Sequence, residues 1–223
     1  MERFGNITLI GTSHIAKESI EKVNNSITEI KPEIVALELD PGRAYALQHK
    51  FKRAKNISLL KTLGLSGFLF YIFGEITQKK LGKIVNLKPG SEMLAAMKTA
   101  EKTGCKIALI DRDIQITLRR FSKHFRKKEI LKLLLDLVKG IFKKNKFKID
   151  LSKVPSDKVI DYAMKQVKKN YPSLYKVLVE ERDVYMAKQL IRITQLNPDK
   201  KIVAVVGAGH IKGILNYLTN HAI

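Results

Sequence analysis

ITLIGTSHIAKESIEKVNNSITEIKPEIVALELD, residues 7–40, decides the fold. Ile7 to Ile10 is a short, uncharged, largely β-branched run that reads as a buried strand. From Ser13 to Ile30 the apolar residues Ile15, Ile20, Val23, Ile27 and Ile30 recur at helical spacing, and Lys31-Pro32 ends the helix. Ile34 to Leu39 is again strand-like, so the stretch is a βαβ opening. Working outward, Lys106 to Ile110 and Lys201 to Val206 supply two more strands. Helices fit Ser91 to Thr103, after Pro89-Gly90, and Glu180 to Gln195, closing at Asn197-Pro198. Alternation of this kind predicts an α/β fold, a mostly parallel sheet flanked by helices. Two insertions, 41–88 and 119–179, read as helical elaborations of one domain spanning residues 1–223.

Composition narrows the class. With 223 residues, 45% hydrophobic and 28% charged, the chain has enough apolar material for a sizeable core, which excludes disorder as its main state. The lone Cys105 excludes an intramolecular disulfide and a cysteine-based zinc site, and it precedes a strand, a poor place for a nucleophile. No apolar run reaches a bilayer's thickness, and the opening residues lack a signal peptide's apolar core, so the expected location is cytoplasmic. The uncharged run from Thr62 to Gly74 reads as a buried helix, an apolar lid or a surface dipping into a bilayer interface.

Each strand runs into polar residues at its carboxyl end: Gly11-Thr12-Ser13-His14, Glu38-Leu39-Asp40, Asp111-Arg112-Asp113 and Gly207-Ala208-Gly209-His210. In a parallel sheet these ends share one edge, where α/β proteins bind ligands. Either G-x-x-H turn alone is an ordinary helix start; two after different strands point to a site, with Gly11, Gly207 and Gly209 allowing tight turns. Neutral imidazoles and carboxylates suit both metal ligation and general-base work, so His14, His210 and Glu38 serve either role. Asp40, two residues from Glu38, joins it as a carboxylate pair or caps the turn at Pro41-Gly42. Arg112 forms an ion pair with its flanking aspartates or steadies an oxyanion. Glu92 lies in a helix's first turn, where the dipole favours it. Glu180-Glu181-Arg182-Asp183 reads as a solvated helix start, with Arg182 and Asp183 as further site candidates. GAGHIKG misses the dinucleotide fingerprint because its last glycine falls one position late.

The net charge is +21, and residues 119–148 hold 12 Lys and Arg against Glu129 and Asp136. Within them Ile130 to Phe142 is amphipathic, so this stretch covers its own core, docks on a partner or lies on an anionic membrane. Lys127, Lys128, Lys132, Lys139, Lys143 and Lys144 would form that membrane or partner surface. Nucleic acid is not favoured, because no reading motif accompanies the charge. A second copy of the chain is a further candidate partner.

GTSH at 11–14, LELD with Arg43, LKPGSEMLAAMKTAEKTG, IALIDRDIQITLRR, VEERDVYMA and VVGAGHIKGI together resemble the TraB/PrgY family, and more distantly TIKI and GumN proteins. The resemblance implies a fold of the erythromycin esterase and ChaN-like group and a metal-dependent peptidase. It implies a metal site on His14, His210 and Glu38; the leading reading of the residues places Mn²⁺, Co²⁺ or Zn²⁺ there, with Glu38 or Glu92 taking the proton of a bound water and Arg112 steadying the oxyanion. Arg43, Asp111, Arg119, Arg182 and Asp183 match its motifs and are the expected substrate-binding residues. Haem on the histidines is an alternative cofactor. The rival reading is a regulatory module that binds a peptide or small ligand without turnover, on the cytoplasmic face of a membrane.

Overall fold

Strand β5, Ile202–Gly207, is the last in sequence and the middle one in space. The computed structural model describes residues 1–13, 17–49, 90–124, 126, 128–129, 132, 135–136 and 156–221. Its sheet has the order β1-β2-β5-β3-β4, with β1 Glu2–Phe4, β2 Ile7–Thr12, β3 Ile34–Leu37 and β4 Lys106–Leu109. Only β1 is antiparallel to its neighbour; β2, β5, β3 and β4 run parallel, as their charge-free, β-branched runs predict.

Alternation along the strands sorts the core into two layers. Ile7, Leu9, Ala36, Ile202, Ala204 and Val206 pack on one face against Met186, Leu190, Ile214 and Leu218. These come from α7, Glu181–Leu196, and α8, Ile211–His221. Ile10, Val35, Leu37, Val203 and Val205 pack on the other face against Val23, Ile27, Met93 and Met97, from α1, Lys17–Ile30, and α3, Ser91–Lys102. The short α2, Pro41–Gln48, adds Ala44 to that layer.

The remaining helices are α4, Ile114–His124, α5, Asp157–Asn170, and α6, Pro172–Tyr175. Between α6 and α7 lies a π-turn, Lys176–Glu180, closed by the Glu181 N–H on the Lys176 carbonyl. The charged string at 180–183 does open α7, but it continues a helical run from Pro172 through this turn and is not solvated, Asp183 being buried. The run Thr62 to Gly74 and most of Ile130 to Phe142 lie outside the described residues. Among the described residues, no helix is long and apolar enough to cross a membrane.

Candidate active site

Past Leu37 the third strand keeps its pairing, the Glu38 N–H donating to the Val205 carbonyl at 3.1 Å. Two residues beyond Ala36, Glu38 turns to the α7–α8 side of the sheet. One carboxylate oxygen, Oε2, accepts the Gly207 N–H at 2.5 Å, and the other, Oε1, accepts from Arg182 Nη2. Arg182 reaches across the edge to Asp111 as well: Nη2 donates to Oδ2 at 2.6 Å and Nε to both oxygens at 3.2 Å. Its Nη1 donates to the Leu178 carbonyl at 3.2 Å and faces His210 Nε2 at 3.1 Å.

That last contact fixes the imidazole. A guanidinium only donates, so Nε2 accepts, and the ring proton sits on Nδ1. Nδ1 donates to Asp183 Oδ1 at 2.5 Å, in the buried interior of the site. Burial pushes the Asp183 carboxyl above its ordinary value, ahead of the opposing pull of His210 and Arg182. Burial also works against the charge of Arg182, but Glu38 and Asp111 outweigh it and the guanidinium is held more firmly protonated than usual. His210 Nε2 stands 3.4 Å from Glu38 Oε1, so lone pair, carboxylate and guanidinium meet at one point.

Asp40 caps α2 by accepting the Arg43 N–H at 3.0 Å, and its other oxygen takes Arg43 Nε at 2.5 Å. Arg43 Nη2 continues to Asp111 Oδ2. The expected carboxylate pair is thus joined through two arginines, in the order Asp40, Arg43, Asp111, Arg182, Glu38. Arg112 forms its ion pair elsewhere than with the flanking aspartates. Its buried guanidinium bonds Glu181 Oε2 at 2.9 Å, Thr117 Oγ1 at 2.9 Å and the Val177 carbonyl at 2.7 Å, so all three of its nitrogens already serve the packing between α4 and the π-turn. Asp113 instead caps α4 through the Gln115 N–H. Arg119 is exposed on α4; it is Arg120 that grips Glu181, at 2.6 and 2.9 Å. Glu92 is buried in the first turn of α3, whose antiparallel run to the strands puts that turn at the same sheet edge. His14, Lys127, Lys139, Lys143 and Lys144 lie outside the described residues. Lys128 is exposed, and Lys132 donates to Asn170 Oδ1 at 2.8 Å.

Two features escape the sequence reading. The carbonyls of Val177 and Leu178, within the π-turn, accept from the two buried arginines. The second is Gly213, where a Cβ would stand 1.9 Å from Asp183 Oδ2 and 2.6 Å from its Cγ. The late glycine of GAGHIKG thus makes room for the carboxylate that holds His210. Gly11, Gly207 and Gly209 all avoid positive φ; at Gly11 and Gly209 it is room that is short, a Cβ meeting the Ala208 Cα at 3.2 Å and the Met164 Cε at 2.5 Å. Asp183 also borders a cavity of about 570 Å³ whose wall includes Leu9, Gly11, Met164, Lys165, Gly209 and Gly213.

The sequence profile of the TraB/PrgY/gumN family matches residues 2–222. The chain belongs to that family. Among TraB relatives, an uncharacterized protein of Methanocaldococcus jannaschii is 39% identical over 213 residues, covering 95% of this chain and 53% of its own. The mouse TraB domain-containing protein is 27% identical over 234 residues, covering 93% of this chain and 61% of its own. The chain therefore spans little more than half the length of the curated TraB relatives it matches. Among solved structures, the haem-binding ChaN of Campylobacter jejuni is similar over 96% of this chain and 77% of that one, with TM-score 0.39 and 14% identity.

The divalent ion implied by the family resemblance can be tested against this geometry. The donors suit it: a carboxylate oxygen and an imidazole Nε2 whose other nitrogen is tied to a carboxylate are common metal-site chemistry. The space does not, because the Arg182 guanidinium stands where an ion shared by Glu38, Asp111 and His210 would stand. Among the described residues no group of three His, Cys, Asp or Glu could hold a metal ion. Haem on His210 would meet the same obstacle, since Nε2 already accepts from Arg182.

Proposed function

We propose that this chain is a hydrolase for peptide bonds whose working base is His210, oriented by Asp183. The observation that carries this reading is the 2.5 Å Nδ1–H contact to Asp183 with the Nε2 lone pair turned toward a buried guanidinium. A carboxylate that fixes the tautomer, a base and a preorganised positive charge are the parts acyl transfer needs. A substrate carbonyl oxygen that takes the hydrogen bond Arg182 Nη1 makes to His210 would free the Nε2 lone pair for a water. That water attacks the carbonyl carbon as its proton passes to Nε2, and Nη1 steadies the oxyanion. Collapse of the intermediate returns the proton from Nε2 to the departing amine. Glu38 and Asp111 hold Arg182 in place.

The test is a mass-spectrometric screen of a defined peptide library against wild type, His210→Ala and Asp183→Asn. Wild type should cleave, and His210→Ala should lose about 10³-fold or more of that rate. Asp183→Asn, which favours the wrong tautomer, should lose about 10²-fold or more. Saturable peptide binding by wild type without cleavage would refute the hydrolase and favour the second reading, a binding module on an anionic membrane. The net charge of +21 favours that alternative.

A further inference from the structure

We propose that Arg182 is the resident cation of this site and keeps divalent ions off Glu38, Asp111 and His210. The inference rests on placing the site at this cluster, and it concerns Glu38 and His210 of the expected metal ligands, His14 lying outside the described residues. Three acceptors of metal-ligand type converge on one guanidinium: Glu38 Oε1, Asp111 Oδ2 at 2.6 Å and His210 Nε2 at 3.1 Å. As these side chains stand they do not form a metal site; to bind an ion at about 2.0–2.2 Å the three would have to close into the space Nη1 and Nη2 now fill. Ion and guanidinium are thus alternatives.

The arginine is not a loose visitor. Its side chain is only 15% exposed. Nε lies between both oxygens of Asp111, and Nη1 is anchored behind by the Leu178 carbonyl. An incoming ion would have to break all of these bonds and leave the guanidinium without its two carboxylates. Asp111 is itself fastened, its Oδ1 accepting the Arg112 N–H at 2.8 Å and its Oδ2 the Arg43 guanidinium, so the acceptors cannot follow the ion elsewhere. A guanidinium also supplies what the ion would supply to an oxyanion, a fixed positive charge, without ligand exchange.

The experiment is competition of Zn²⁺, Mn²⁺ and Co²⁺ between a chromophoric chelator and the full chain, with elemental analysis after dialysis. It compares wild type, Arg182→Ala and the double variant Asp111→Asn/Arg182→Ala, which removes one of the carboxylates stranded by loss of the arginine. Wild type should retain no stoichiometric metal. A variant lacking Arg182 should gain one ion bound about tenfold or more tightly than by wild type, and adding His210→Ala should abolish the gain. Folding of either variant only when metal is supplied would support the proposal equally. Stoichiometric metal on wild type would overturn it, as would a folded variant lacking Arg182 that still binds none, or failure of both variants to fold even with metal. Because the readout is metal rather than turnover, a wild type that cleaves only when loaded would defeat this inference and leave the hydrolase standing. A wild type without cleavage but with the expected metal behaviour would do the reverse.

Discussion

Gly213→Ala sets two physical effects of opposite sign against each other. Gly213 lies in the first turn of α8, and replacing glycine by alanine in a helix is ordinarily worth up to about 1 kcal/mol of added stability. Here the new methyl would stand 1.9 Å from Asp183 Oδ2, 2.6 Å from Cγ and 3.0 Å from Cβ. The whole carboxylate has to move, and any rotation that clears the methyl takes Oδ1 off His210 Nδ1. Overpacking of this kind costs about 1–3 kcal/mol, and a lost buried hydrogen bond to a charged group about 1.5–3 kcal/mol more. Set against the helix gain, the net is a loss of about 1.5–5 kcal/mol. For a chain of this length that lowers the thermal midpoint by roughly 3–20 °C. The assay is calorimetry alongside urea unfolding of wild type and variant. An unchanged or raised midpoint would show that Asp183 does not occupy the space of a Gly213 side chain, and the account of how His210 is held would fall with it.

Gly209→Ala is the matched control: its Cβ meets the Met164 Cε at 2.5 Å, but a flexible thioether can swing aside, so the midpoint should fall by less than half as much in the same calorimeter. Glu181 is pushed up by burial but pulled down further by Arg120 and Arg112, to about 2 from an ordinary 4.5. A depressed carboxylate gives stability that is full above pH 4.5 and lost as pH falls toward 2. With Arg120 exposed to solvent the effect is about 1–2 kcal/mol, so urea midpoints should fall between pH 5 and 3 by more in wild type than in Glu181→Gln. Equal slopes would rule out the ion pair as a source of acid sensitivity. Arg112→Met takes the buried donors from Thr117 and the Val177 carbonyl and leaves Glu181 with Arg120 alone, and should cost about 2–4 kcal/mol of unfolding free energy in urea titration; a change below 1 kcal/mol would contradict the buried network.

The layered architecture was legible because β-branched, charge-free runs such as Ile202–Val206 have few other places to go than a buried parallel sheet. His210, Glu38, Asp111 and Arg182 were legible as polar residues at strand ends or in a conspicuous charged string. What they bind was not. Arg182 and Glu38 are separated by 144 residues, and nothing local tells a helix-opening charge string from one packed against a sheet edge. For the same reason Arg112 pointed to its neighbours Asp111 and Asp113, while its partner is Glu181, 69 residues away. Strand ends were read one or two residues off because Glu38, Ile110 and Asp111 continue the hydrogen-bonded ladder without forming regular strand. The π-turn has no signature in KVLVE; it exists because tertiary donors wait for its carbonyls.

That turn also behaves as a phase shifter. One extra residue in a helical turn rotates everything upstream by about 100° relative to everything downstream. Downstream, Met186, Ala187 and Leu190 lock α7 to the sheet. Upstream, the backbone N–H and hydroxyl of Ser173 clip α6 to Glu129. The two ends are thus indexed to different surroundings, and the misfit between them is absorbed in the five residues before Glu181. A shortening by one residue there could not be taken up quietly: either α6 would turn away from Glu129 or the carbonyls that anchor Arg112 and Arg182 would return to the helix. The angular setting of the helix and the aim of its two buried guanidinia are one variable, and a single inserted residue has set both.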